Sequence, residues 1–283
     1  MAKIAIQIML LKDEVAQDGA YEVFRKLKEI GVNCVEMSQI DMTTETVAEV
    51  KRACEDFDME IAAISGKLQE GEADLSSIVS NYDKIVADAK ALGTKYVRMG
   101  SLPGGYTGSA EKAIEFAKLA DEYATRLEAE GIKFYFHNHH REFVKYNGEF
   151  MMHIMRDASE KLGFEIDVFW AQRGGVNPVE FIKGYAGRLD LLHIKDYKII
   201  DKGTEVEDEA YKAKYPTAYD DVVRFAEIGE GNLPMKEIID TAVETLGTEY
   251  VIIEQDLTYG RDKYECYKLS VDNLKKMGYG EMV

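Results

Sequence analysis

Residues 110–139 read AEKAIEFAKLADEYATRLEAEGIKFYFHNH, and the order of parts within this stretch sets the expectation for the whole chain. Over Ala110–Ala129 apolar residues recur at three- and four-residue spacing, as on a helix with one buried face. Gly131 stands where a left-handed C-cap is wanted. Lys133–His137 is then a short apolar run that ends in polar side chains. Strand candidates of this kind occur eight times: Ile4–Ile8, Cys34–Met37, Ile61–Ser65, Tyr96–Gly100, Lys133–His137, Phe164–Asp167, Leu189–Lys195 and Tyr250–Glu254. Helical spacing fills the intervals at Gly19–Ile30, Thr44–Phe57, Leu75–Leu92 and Met235–Leu246, and a last helix is expected over Lys263–Met277. Gly31, Gly93, Gly163 and Gly247 repeat the glycine at the helix-to-strand junction.

Strands separated by helices pair in parallel through right-handed crossovers, and eight such units close most economically into a barrel. The fold expected is α/β, a single (β/α)8 TIM barrel spanning residues 1–283, a length ordinary for that architecture. An open doubly wound sheet is the alternative, disfavoured because no G-x-G-x-x-G follows the first strand. No low-complexity tract or linker marks a domain boundary. The stretch from Tyr197 to about Asn232 is far longer than the ~2–6 residues usual between barrel elements and reads as part of a lid.

Composition narrows the partners. The formal charge of −17 opposes nucleic acid and anionic membranes, which are bound through clustered Lys and Arg. No run approaches the ~20 apolar residues of a membrane span, and Met1–Lys3 leads directly into a strand, so a cytoplasmic location is expected. Cys34, Cys54 and Cys266 suggest neither a disulfide framework nor a zinc knuckle. A small molecule is the expected partner; the oligomeric state, a homo-oligomer included, is left open.

In such a barrel the active site lies at the C-terminal strand ends. Gln7, Glu36, Arg98, His137 with His139, Asp167, His193 with Lys195, and Glu254 stand there, on seven of the eight strands. Residues two apart share a face, so His137 with His139 and His193 with Lys195 can both enter the mouth. Helix capping would favour Ser, Thr, Asp and Asn at these places, whereas His, Glu, Lys and Arg are poor N-caps. Asp167, Glu254 and His193, with Glu142 completing the set, offer the mixed oxygen and nitrogen donors that suit manganese first, or magnesium, cobalt or zinc. Trp170 can wall the pocket or pack in the core. Arg98 and Glu36 can contact substrate or form a buried ion pair. His153 reads as structural, and Gly229-Glu230-Gly231 as a turn into the helix near Met235.

The runs His-Asn-His-His-Arg-Glu-Phe at 137–143, Glu-Ile-Asp-Val-Phe-Trp at 165–170, Leu-His-Ile-Lys-Asp at 192–196, Gly-Glu-Gly at 229–231 and Ile-Glu-Gln-Asp at 253–256 resemble the sugar phosphate isomerase/epimerase family of xylose-isomerase-like barrels. That resemblance implies one divalent ion held by Glu142, Asp167, His193 and Glu254, with His139 and Lys195 handling protons or contacting substrate. Related ketose 3-epimerases carry a metal-binding glutamate on strand five itself, where this chain has Phe136 and His137; Glu142 comes later, and His137 or His139 is the alternative occupant. Members similar in the His-Asn-His pattern include subunits that cleave oxidised C-glycosides.

The reaction expected is isomerisation or epimerisation of a ketose or keto-sugar by proton abstraction beside a carbonyl, with catalytic His139, Glu142, Lys195 and Glu254, and Gln7, Glu36, Arg98, His137 and Trp170 contacting substrate. The base is His139 or a metal-bound glutamate, and Lys195 steadies the oxyanion. A lyase acting on a 3-keto sugar or C-glycoside would pass through the same enolate. An apurinic endonuclease is opposed by the negative charge, and a catalytically silent partner subunit is the remaining rival. A phosphorylated substrate is disfavoured, since no glycine-rich anion nest or basic cluster follows strands seven and eight.

Overall fold

The computed structural model describes residues 1–201 and 222–283. Eight parallel strands close into a barrel: β1 Lys3–Gln7, β2 Cys34–Met37, β3 Glu60–Ser65, β4 Tyr96–Met99, β5 Lys133–His137, β6 Gly163–Asp167, β7 Leu191–Ile194 and β8 Tyr250–Ile253. Each strand pairs with its sequence neighbours, and β1 closes the ring against β8 with Lys3 opposite Tyr250 and Ile6 opposite Ile253. The expected (β/α)8 TIM barrel is the observed fold. Among the described residues no helix is long and apolar enough to cross a membrane.

Alternation along the strands separates two cores. Ile4, Ile6, Val97, Phe134, Phe136, Ile166, Leu192 and Val251 belong to the large apolar cluster that also takes in the helices. Residues of the opposite parity, Ala5, Cys34, Ala63, Tyr96, Tyr135, Leu191 and Ile252, form a second cluster that fills the barrel interior near its base. Tyr135 lies so close to β6 that a Cβ at Gly163 would stand 2.4 Å from its ring, which is why glycine opens that strand. Two residues further along each strand the inward parity delivers Glu36, Arg98, His137, Glu165, His193 and Glu254, all buried. Apolar base and polar mouth are thus successive layers of one pattern.

Helix boundaries depart from the periodicity where short polar side chains compete for the backbone. The helix expected over Leu75–Leu92 starts only at Tyr82. Before it, Asp74 accepts the backbone N–H and the hydroxyl of Ser76, and the Asn81 amide donates to the Asp74 carbonyl, which holds a turn instead. Helix Ala20–Glu29 is preceded by a separate helix, Lys12–Asp18, with Gly19 at a φ of 84° between them. After β6 come two short helices, Val168–Arg173 and Pro178–Lys183, that the periodicity did not resolve. The long connection after β7 opens as an antiparallel hairpin, Asp196–Ile199 against Val223–Ala226. The rest of the lid expected there, 202–221, lies outside the described residues.

Candidate metal centre at the barrel mouth

The β6–β7 register places Asp167 opposite His193, and the β7–β8 register places His193 opposite Ile252, two residues before Glu254. His137 ends β5 on the same inward parity. These four buried side chains, His137, Asp167, His193 and Glu254, each offer a ligand atom, and the four atoms lie within 4.8 Å of one another. His193 Nδ1 is 2.5 Å from Glu254 Oε2, and His137 Nε2 is 3.8 Å from the same oxygen. Asp167 is held by the start of the next helix: its Oδ1 accepts the Trp170 N–H at 2.8 Å, while Oδ2 is buried with no hydrogen-bond partner. Capping therefore aims this carboxylate without consuming it.

A second charged layer lies one inward step closer to the base. Arg98 Nε is 2.7 Å from Glu165 Oε2 and 3.4 Å from Glu36 Oε1, and its Nη1 reaches Ser38 Oγ at 3.3 Å. His193 Nε2 faces Glu36 Oε2 and Glu165 Oε1, each at 3.1 Å. On the other side of the quartet, Lys195 Nζ is 3.0 Å from Asp256, 3.1 Å from Glu254 and 3.9 Å from Asp167, and it sits 5.1 Å from the centre of the Trp170 ring. Three carboxylates around one ammonium compensate its removal from water.

Burial and mutual charge set the protonation pattern. Burial pushes the Asp167 carboxyl up to about 8, against the pull of Lys195, and takes Glu36 to about 7 despite Arg98. Burial also raises the Glu254 and Glu165 carboxyls, yet both end below their ordinary range, Glu254 through Lys195 and His193, Glu165 through Arg98 and His193. Burial opposes charge on His193, but Glu165, Glu36 and Glu254 together raise it well above the usual value. His137 is driven down, first by burial and then by His193 and Arg98.

The structure regroups the expected site residues. Asp167, His193 and Glu254 converge as expected, but the strand-five member of the group is His137, expected to contact substrate, and Glu142 is left out. The Glu142 carboxylate turns back to accept the His139 N–H at 2.7 Å, the reach of a capping box over the turn at His140–Phe143. Burial lifts that carboxyl to about 7, and its Oε1 has no hydrogen-bond partner. His139 lies beside the group, its ring 5.1 Å from His137 and 5.5 Å from Trp170, with Nδ1 buried and unpartnered and its pKa held at about 4 by burial. Trp170 is buried at the mouth with an unpartnered Nε1. Gln7 is engaged elsewhere, its Oε1 accepting the Met9 N–H at 2.9 Å to cap the turn after β1. Glu36 and Arg98 form the buried ion pair that sequence offered as an alternative to substrate contact.

Glu165 and Asp256 were missed as site residues. The signal was available, since each lies two residues from a recognised strand-end carboxylate, Asp167 and Glu254. Asp196, by contrast, accepts the N–H groups of Gly229, Gly231 and Leu233 and so pins the Gly-Glu-Gly turn to the start of the hairpin. A Cβ at Gly231 would lie 2.1 Å from that carboxylate. The turn does lead into the helix at Met235–Asp240.

The sequence profile of a family described as xylose isomerase-like TIM barrel matches residues 24–277. No curated protein matches the sequence. Among solved structures, a sugar phosphate isomerase/epimerase from Parabacteroides distasonis is 20% identical, covers 100% of this chain and 95% of its own, and superposes with a TM-score of 0.71. A probable 3-DHS dehydratase from Bacillus anthracis is 14% identical, with 96% and 98% covered and a TM-score of 0.69. A 3-keto-D-glucoside 4-epimerase from E. coli is also 14% identical, with 98% and 100% covered and a TM-score of 0.68. At these identities the likeness is one of fold.

Proposed function

The chain belongs to the family of xylose isomerase-like TIM barrels, and from that premise we propose that it is a sugar isomerase or epimerase using one divalent ion to move a proton beside a carbonyl. The observation that carries this reading is the convergence of His137, Asp167, His193 and Glu254 at the C-terminal strand ends. The residues fit an ion: Asp167 Oδ2 is buried without a hydrogen-bond partner, and two imidazoles with two carboxylates form a donor set suited to manganese, cobalt or zinc better than to magnesium. We assign manganese first. A bound ion would polarise the substrate carbonyl and an adjacent hydroxyl, lowering the cost of the negative charge that develops as the proton leaves.

The chain's own groups supply the rest. Lys195, held as an ammonium by Asp256, Glu254 and Asp167, faces the developing oxyanion. His139, whose pKa burial lowers to about 4 and whose Nδ1 is buried without a hydrogen-bond partner, is the group assigned to take the proton. Glu142 fixes the His139 backbone, and Trp170 offers an apolar wall to a sugar ring. The same proton abstraction followed by loss of a β-substituent would make a lyase, the chemistry named for the dehydratase of the same fold. Elemental analysis and turnover in deuterated water, on ketoses and 3-keto-glucosides, test the proposal. About one ion per chain, deuterium at the carbon beside the carbonyl, and a loss of about 10² to 10⁴ in turnover for Lys195→Met are expected. A protein that holds no ion, and whose melting is unmoved by manganese, cobalt, zinc or magnesium, would be no metalloenzyme. An epimer or an alkene among the products separates the two reactions.

A further inference from the structure

Beneath the four candidate ligands lies a layer that no part of the proposed reaction uses: Glu36, Arg98 and Glu165, all buried. Glu36, Glu165 and His193 are themselves close enough to hold an ion. The Arg98 guanidinium, 2.7 Å from Glu165 and 3.4 Å from Glu36, already supplies the positive charge there. That leaves the carboxylate oxygens turned toward the imidazoles as hydrogen-bond acceptors. Glu36 Oε2 and Glu165 Oε1 each stand 3.1 Å from His193 Nε2, whereas Glu165 Oε2, which accepts from Arg98, is 3.6 Å from His137 Nδ1, beyond hydrogen-bond reach, and that nitrogen is buried without a hydrogen-bond partner. The opposite nitrogens, His193 Nδ1 and His137 Nε2, both face Glu254 Oε2.

We propose that Glu36 and Glu165, neutralised by Arg98, are positioning residues that fix the tautomer of His193, so that it binds the ion through Nδ1, while His137 binds through Nε2, the nitrogen that faces Glu254. This rests on the metal reading above. An imidazole ligand has one nitrogen for the ion and must place its remaining N–H on an acceptor; an acidic acceptor locks the ring and makes the ligating nitrogen more basic. A carboxylate can only accept. An amide in the same place can turn its NH2 to the ring, which demands a lone pair on the lower nitrogen and puts an N–H into the ligand cluster. Glu36→Gln and Glu165→Gln are therefore nearly isosteric changes that disturb ring orientation without removing a ligand.

The test uses the full chain with Zn²⁺ or Mn²⁺ as the only added ligand. In the ¹⁵N-histidine NMR spectrum of the Zn²⁺-loaded wild type, His193 should be bound through Nδ1 with its proton on Nε2, and His137 through Nε2 with its proton on Nδ1. Either ring bound through its other nitrogen overturns the assignment, and this readout needs no variant to fold. By calorimetry, Glu36→Gln and Glu165→Gln should each weaken Mn²⁺ binding by about 10- to 100-fold, and in a His193→Ala background Glu36→Gln should cost nothing further. Unchanged affinity in both single variants, or an equal loss with and without His193, reduces the layer to packing. Wild-type protein that binds neither ion defeats the metal reading itself, an outcome distinct from binding through the wrong nitrogens.

Discussion

The two ends of the barrel treat charge in opposite ways. At the base, Lys133 and Tyr96 share Asp190, the tyrosine hydroxyl at 3.2 Å, and Lys3 pairs with Glu60 at half-exposed positions. Tyr96 packs edge-on against Tyr135 and Tyr250, with ring centres 5.5 and 5.8 Å away. At the mouth, Glu36, Glu165, Asp167 and Glu254 crowd around Arg98, His193 and Lys195 out of water, and Asp167, His139, Glu142 and Trp170 each keep a buried polar atom without a hydrogen-bond partner, against Glu60 Oε1 among the base residues named. A hollow of about 340 Å³ lies at the base, between Lys3, Asn33, Glu60 and Val283, away from the strand-end cluster. Paired polar groups hold a fold together, whereas like charges buried side by side raise its energy until a ligand arrives. The base reads as stability and the mouth as function.

The sharpest way to break this contrast is Asp167→Asn. In the metal-free protein this carboxyl is already pushed toward its neutral form, so the amide should leave the metal-free melting temperature unchanged or raised. On the proposed metal reading the same change removes an anionic ligand. An ion's effect of several kcal/mol, at 1.36 kcal/mol per tenfold, translates to a turnover loss of about 10³-fold. Calorimetric melting with chelator and a turnover assay decide it, and a variant that melts far below wild type in chelator would make Asp167 a structural residue.

A smaller effect concerns pH between 6.5 and 8. Asp167, Glu36, Glu142 and His193 hold protons more tightly in the folded chain than in the unfolded one. His137 and His139, shifted downward, act in the opposite sense, since their unfolded rings are about half-protonated at pH 6.5 and lose that proton by about 7.5, but this is less than the four raised groups hold. The folded chain thus carries more protons over this window, and metal-free stability should fall as pH rises. With Mn²⁺ present the ligands are deprotonated by binding, so the stabilisation conferred by the ion should grow with pH. Melting curves in chelator that climb from pH 6.5 to 8 would refute the buried protons.

The base should give the smallest responses. Tyr96→Phe removes one hydrogen bond, about 1 kcal/mol, and should lower the melting temperature by about 2–4 °C with ion affinity intact. Lys3→Gln breaks a half-exposed pair worth under about 1 kcal/mol. If either shifts Mn²⁺ affinity, the two ends are coupled and the contrast fails.

Sequence by itself determined the barrel, because eight apolar runs parted by amphipathic helices admit few other closures, and it determined which strands carry polar ends, because strand parity is a local property. Asp167, His193 and Glu254 were legible on that ground. Tertiary structure alone brought a ligand atom of His137, and not of Glu142, within 4.8 Å of theirs. Reach in a loop depends on the turn that follows the strand, and here a capping box draws the Glu142 carboxylate back to the His139 N–H. Structure also decided the vertical order, with Arg98 paired to Glu165 beneath His193 and Lys195 to Asp256 on the opposite side. Pairing across a barrel depends on strand register and stagger, set by the closure of all eight strands together, and no single segment contains that information.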